Sequence, residues 1–148
     1  MKVVLNFEQV VMGRATPSDF TAVLNDFGRY MVKRIDGEYV SESDLYGNKW
    51  QRLSSAYLAR KIRKGLNPHI LQATGDMRAS TRYVVVSQQL QIHIDDPKVE
   101  FHQNSETKRR LVLPDQRRGL PQQDVVKLKQ LTRDRLIRAF SFRAYTLK

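Results

Sequence analysis

At 148 residues with a net charge of +11, the chain is long enough for one hydrophobic core and too short for two comfortable ones. Its 41% apolar content, with aromatic residues along the whole length, excludes a chain disordered throughout. The absence of cysteine excludes disulfides, thiolate metal sites and cysteine nucleophiles, and fits folding in a reducing cytoplasm.

The charge is uneven. Met1 to Glu106 carry 14 basic and 12 acidic residues, a balance of +2, whereas Thr107 to Lys148 carry 12 basic and 3 acidic, a balance of +9. A nearly neutral body with a basic end fits either an anionic partner, nucleic acid or an acidic protein surface, or simply a solvated basic face.

In chain order, the opening residues alternate, with Val3, Leu5 and Phe7 against Lys2, Asn6 and Glu8, which predicts a strand. Asn6 and Glu8 interrupt the apolar run before it reaches signal-peptide length. No stretch approaches the ~20 apolar residues that span a bilayer, so a soluble protein is expected. Thr16-Pro17-Ser18-Asp19 is a helix start, with a capping threonine, a proline suited to the first position and a capping-box carboxylate. Phe20, Val23, Leu24, Phe27, Met31 and Ile35 then recur at three- and four-residue steps and predict an amphipathic helix with one buried stripe.

From Ile35 to Lys49 the chain is polar and irregular, which predicts a long loop. A second helix follows with Leu58 and Ile62 four apart and Gly65 placed to end it. His69 to Ser80 read as a short helix or turn carrying Ile70, Leu71 and Met77. The run Arg82 to Asp96 is apolar at the even positions Val84, Val86, Leu90, Ile92 and Ile94, with Tyr83 and Val85 as exceptions among the odd ones. It predicts a hairpin turning at Ser87-Gln88-Gln89, its even positions on the buried face. After Asp96-Pro97 come a short apolar piece and a basic loop. The last long helix begins near Leu120-Pro121, with Val125, Leu128, Leu131, Leu136 and Phe140 as its apolar face. The end from Phe140 to Lys148 is rich in β-favouring residues and predicts a final strand. The order of elements predicts a single α+β domain over residues 1–148. It has an antiparallel sheet, packed amphipathic helices, a long loop and a basic C-terminal helix, and residues 141–148 are a candidate assembly tail.

The chemistry-bearing residues are few. His93 and Asp95 share a strand face, and Glu100 and His102 follow, but no histidine pair has helical i, i+4 spacing and Asp95-Asp96-Pro97 reads as a strand-ending turn. These residues are expected to be structural, a metal-dependent nuclease being the distant alternative. There is no phosphate-binding loop, dinucleotide fingerprint or nucleophile elbow, so no catalytic set, metal or cofactor is expected. Lys108, Arg109, Arg110, Arg117 and Arg118 cluster on the predicted basic loop and are expected to face a partner protein or DNA. With no zinc-finger spacing, helix-turn-helix or stacking motif, any nucleic-acid binding would be electrostatic and indifferent to sequence.

The chain's one tryptophan, Trp50, lies on the polar stretch Y-G-N-K-W-Q-R-L-S. Gly47, Trp50, Leu53 and Lys61 form a G-x-x-W-x-x-L element leading to a lysine-bearing helix. Ile70, Leu71, Thr74, Gly75, Met77 and Ser80 form I-L-x-x-T-G-x-M-x-x-S. His102 follows the two strands, and Pro114, Arg117, Gly119, Leu120 and Asp124 lead into the last helix. In order and spacing these elements resemble the phage virion morphogenesis family, the Mu-like tail-completion and head–tail joining proteins, over roughly Phe20 to Phe140. Two features depart from the family pattern: Gln103-Asn104-Ser105 lacks the glycine expected after the histidine, and the C-terminal end runs past the usual last helix.

The resemblance implies a non-enzymatic structural protein of a tailed phage particle, at the neck or tail end, assembled as a ring such as a hexamer. It implies other neck and tail proteins as partners, with DNA passing through the channel and no membrane. The alternative is a basic, sequence-indifferent nucleic-acid-binding module. Phe142 and Tyr145 are candidate subunit contacts. Trp50 is a third candidate, although a core-capping role at a loop-to-helix junction is the favoured reading of its position.

Overall fold

The computed structural model describes residues 1–5, 16–104, 110–115 and 117–145, leaving the side chains of 3–5, 136 and 138–145 undescribed. After β1 (Lys2–Leu5), the helix α1 (Pro17–Ser41) starts as its sequence dictates. Thr16 Oγ1 accepts the Asp19 N–H at 3.2 Å, and the Asp19 carboxylate accepts the Thr16 N–H at 3.0 Å, so two otherwise orphaned donors are satisfied reciprocally. Val23, Leu24, Phe27, Met31 and Ile35 are buried along one stripe.

The loop expected from Ile35 begins later, because α1 continues to Ser41. The stripe extends one more step to Tyr39, which is fully buried, while Gly37, within that stretch, lies where a Cβ would meet no atom within 4 Å. Burial of Tyr39 outweighs the modest propensity cost of an exposed mid-helix glycine. The helix ends at Glu42 in the left-handed region (φ 50°).

The hairpin forms from β2 (Thr81–Val86) and β3 (Gln89–Ile94), joined by only two residues, Ser87 and Gln88. Both have positive φ, 49° and 62°, as a primed two-residue turn requires. Residues directly opposite share a face, and the register pairs Tyr83 with Ile92 and Val85 with Leu90. The buried face therefore changes parity across the turn. The expectation of even positions throughout holds for β3, where Leu90, Ile92 and Ile94 are fully buried, and fails for β2. There Tyr83 and Val85 pack against the core and Val86 is 48% exposed. β1 pairs with the other side of β3, Val3 opposite Ile92 and Leu5 opposite Leu90, giving the antiparallel order β1-β3-β2.

The remaining helices are α2 (Ser55–Arg63), the single turn α3 (Asp76–Ala79), α4 (Lys98–Asn104) and α5 (Gln122–Tyr145). α1 lies across β2 and β3, and α5 packs along α1, with Leu128 and Leu131 against the core. The strand expected from Phe140 is absent as far as Tyr145, because α5 continues through that point; residues 146–148 lie outside the described residues. Extending an existing helix adds one hydrogen bond per residue fixed, and weak β preference does not stop it. The result is an α+β domain with an antiparallel sheet. Among the described residues no helix is long and apolar enough to cross a membrane.

A buried polar cluster joins α1 to α5. Tyr30 donates to Asp124 Oδ1 at 2.7 Å, Arg34 Nε stands 3.6 Å from the same oxygen, and Arg34 also donates to the Leu45 carbonyl at 3.0 Å. Burial and the adjacent Asp124 push the Tyr30 hydroxyl up to about 12. One turn beyond Arg34, Glu38 is fully buried with neither carboxylate oxygen hydrogen-bonded. Burial is the main cause that pushes its pKa up to about 10, so it carries a proton at neutral pH.

At Gly28 a Cβ would stand 2.6 Å from Tyr83 Cγ, inside the ring's contact distance, so the helix meets the strand through a bare backbone. Gly28→Ala should cost about 1–3 kcal/mol by chemical unfolding, as overpacked sites do. Gly37→Ala should instead gain about 0.5–1 kcal/mol. For Glu38, the unfolded chain ionises near 4.5 and the fold only near 10, so its contribution is greatest below the lower value and is lost as pH rises toward the upper. Glu38→Gln should therefore stabilise the protein at about pH 8, with the gain shrinking toward about pH 5. A variant less stable than the parent at the higher pH would show that Glu38 is ionised in the fold.

Candidate functional site

The segment Arg110–Asp115 is irregular chain in no sheet, with a bend at Leu113, yet Leu111, Val112 and Leu113 are all buried. Buried backbone groups need partners, and here side chains supply them. Gln103, on α4, accepts the N–H groups of Val112 and Leu113 at 3.0 and 3.2 Å and donates to the Leu113 carbonyl at 2.9 Å. Trp50 donates its indole N–H to the Leu111 carbonyl at 3.1 Å. The Arg110 N–H reaches the His102 carbonyl at 2.9 Å, and the Asp115 N–H reaches the Tyr46 hydroxyl at 3.0 Å. Arg110 returns the contact, its guanidinium donating to the Gln51 carbonyl at 2.9 and 3.2 Å.

This explains a tryptophan on a polar turn. Asp44 Oδ1 accepts the N–H groups of Tyr46 and Asn48, and Gly47 takes φ +88°, so the turn delivers Trp50 inward. The ring is 4% exposed and meets Tyr39 edge-on at 5.7 Å, leaving its one polar atom for the threaded segment.

Beside that segment lies a groove of about 640 Å³. One wall is Gln51 to Ser54 with Tyr57 and Lys61 of α2, the second is Leu71 to Met77, and the third is α4 with Arg110. Leu53, Leu71 and Met77 form its apolar surface, and Phe101, 64% exposed, stands at its edge. Lys61 is 4% exposed and donates to the His69 carbonyl at 2.7 Å, its ammonium pKa lowered by burial. The same turn is held by Glu42, whose carboxylate accepts the Ile70 N–H at 2.9 Å. Gly75 takes φ +86° to start α3, and Arg78 of α3 grips Asp36 of α1 with two nitrogens at 2.5 and 2.8 Å. His102 is half-buried with its Nδ1 unpartnered; burial first, then the Arg110 charge, holds its imidazole below the usual range and so neutral near pH 7.

The expected partner-facing cluster is divided. Lys108 and Arg109 lie outside the described residues. Arg110 is not a free surface cation: at 8% exposure it is a bracket within the fold and a wall of the groove. Arg117 and Arg118 are exposed on the turn before α5, with Arg118 lying 3.7 Å over the Tyr46 ring. Of the subunit-contact candidates, Trp50 belongs to the core, and Phe142 and Tyr145 lie on α5 with their side chains outside the description. Asp95 is held by Arg82 at 2.9 and 3.2 Å, and His93 Nε2 faces Gln91 Oε1 at 3.3 Å. Among the described residues, no three His, Asp or Glu side chains gather as metal ligands.

Leu53, Lys61, Leu71, Thr74, Gly75, Met77 and His102, read separately as motif positions, all line this one groove. Reasoning along the chain missed Arg52, Lys98 and Phe101 on its walls, and Gln103 behind it. Only the odd survival of L-V-L inside a basic run signalled that a polar side chain must meet it. Comparisons with family models, with curated proteins and with solved structures find no match to this chain.

Gln103→Leu should orphan the Val112 and Leu113 N–H groups and the Leu113 carbonyl, each costing about 1–3 kcal/mol where water cannot reach. Trp50→Ala should cost roughly 3–5 kcal/mol. Thermal unfolding checks both, and an unchanged midpoint for either would remove that side chain from the core account.

Proposed function

We propose that the chain is a non-enzymatic assembly protein of a phage particle, closing the tail or neck as a ring and bridging to neighbouring virion proteins. The observation that carries this reading is the ordered set of motif elements between Gly47 and Asp124. Leu53, Lys61, Leu71, Thr74, Gly75, Met77 and His102 line one groove, and others of the set have structural roles elsewhere in the fold. Gly47 turns the chain, Trp50 pins the threaded segment, Lys61 clasps the His69 turn, and Asp124 anchors α5 to Tyr30 and Arg34. The basic end supports a role beside an acidic partner, since Arg117 and Arg118 precede a helix on which Lys129 and Arg133 are exposed. That same surface serves the alternative reading, a nucleic-acid-binding module.

Native mass spectrometry of the full chain should give a ring. Arg117→Glu with Arg118→Glu should keep that mass while attachment to the partner in a particle-assembly assay falls, more so at low salt. Deleting Ser141 to Lys148 should leave a folded domain that assembles poorly. A stable monomer that binds DNA tightly and salt-sensitively would favour the nucleic-acid module instead.

A further inference from the structure

We propose that the groove between α2, the Leu71–Met77 turn and α4 is a docking site for an acidic peptide segment, presented by a protein partner and anchored by one bulky apolar side chain. Four cations line it, Arg52, Lys61, Lys98 and Arg110, against a single carboxylate, Asp96. Asp96 is engaged by its own helix start, accepting the Lys98 N–H at 2.9 Å, and its contact with Lys98 Nζ is long at 3.8 Å. Arg52 and Arg110 form no ion pair among the described residues, and the Lys61 ammonium has only the longer-range attraction of Glu42. Carbonyls hold one donor of Lys61 and two of Arg110, which leaves further N–H groups on both. Among the described residues the lining carries more positive than negative charge, and an incoming carboxylate makes charge-assisted hydrogen bonds with it.

The apolar part sets the second requirement. Leu53, Leu71 and Met77 offer a greasy surface in a space of about 640 Å³, within the ordinary range of ligand pockets, and Phe101 projects at the edge. A segment with acidic residues flanking one aromatic or large aliphatic side chain matches both features. The depth of the cations favours a peptide over nucleic acid. Lys61 and Arg110 are 4% and 8% exposed, and donors so covered suit a carboxylate on a slender side chain better than a phosphate flanked on both sides by sugars. The surface cations suited to phosphates, Arg117 and Arg118, are not among the groove's lining residues. The inference stands on the groove alone, and it adds the partner's chemistry to the assembly role.

The test is fluorescence anisotropy of the full chain with a labelled short peptide in which glutamates and aspartates flank one phenylalanine. A second peptide carries glutamine and asparagine in their place, and an oligonucleotide serves as competitor. The acidic peptide should bind, more weakly as salt rises, and the neutral one should bind at least about tenfold less tightly. Arg52→Glu with Lys98→Glu, and separately Phe101→Ser, change exposed side chains and should each weaken the acidic peptide about tenfold or more. Arg117→Glu with Arg118→Glu should leave its affinity unchanged. The proposal is overturned if the acidic peptide does not bind, or binds no better than the neutral one. It is equally overturned if the Arg117 and Arg118 changes abolish binding while the groove variants do not, or if the oligonucleotide displaces the peptide with the groove variants' own dependence. Ring formation by native mass spectrometry is read independently, so failure here is distinguishable from failure of the assembly role.

Discussion

Irregular chain from Arg110 to Asp115 carries three apolar side chains into the core without joining the sheet, and the way its backbone is satisfied constrains much of the molecule. Gln103 must face it from α4, the Trp50 indole from the turn after α1, and the Tyr46 hydroxyl from the same turn. Each partner is fixed in turn. Asp44 shapes the turn that carries Tyr46 and Trp50, and Tyr39, in the last turns of α1, supplies the ring against which Trp50 packs. A buried amide or carbonyl left unmade costs more than a made bond gains, so these side chains are held to their positions tightly. The groove lies beside that arrangement, with α4, Gln51 and Arg110 shared between its walls and the threaded segment's bonding.

A second constraint joins α1 to α5. Asp124 is fully buried at the start of α5 and takes Tyr30 and Arg34 from α1, while Glu38 lies buried and protonated one turn away. Burying a carboxylate beside a cation adds little net stability, but removing either partner is costly. The cluster thereby fixes where α5 starts relative to α1. It also gives the fold an acid-favouring component through Glu38, independent of the histidines, which are not grouped.

Much of this was legible in the sequence where local chemistry decides. The capping box at Thr16, the stripe of α1 and the hairpin could all be read from neighbouring residues. Reading failed where distant contacts decide. Tyr39 prolongs α1 because it packs on Trp50, which no local pattern reports. The face of β2 follows from the two-residue turn and not from alternation, so Tyr83 points inward over Gly28 while Val86 is exposed. Arg110 reads as one of a basic cluster and is buried because Gln51 offers a carbonyl to its guanidinium. The groove itself was present only as separate fragments, Leu53, Lys61, Leu71, Thr74, Gly75, Met77 and His102, whose convergence depends on a segment that sequence assigned to a loop.

The role of the threaded segment is tested most directly by amide hydrogen exchange, read residue by residue. The Val112 and Leu113 amides, bonded to the Gln103 side chain, should be protected nearly as well as the β3 amides that open only on global unfolding. In Gln103→Leu their protection should fall selectively while β3 remains protected. Exchange of Val112 and Leu113 in the parent protein as fast as that of exposed turns would contradict the account, because the segment would then not be the buried backbone around which the site is built.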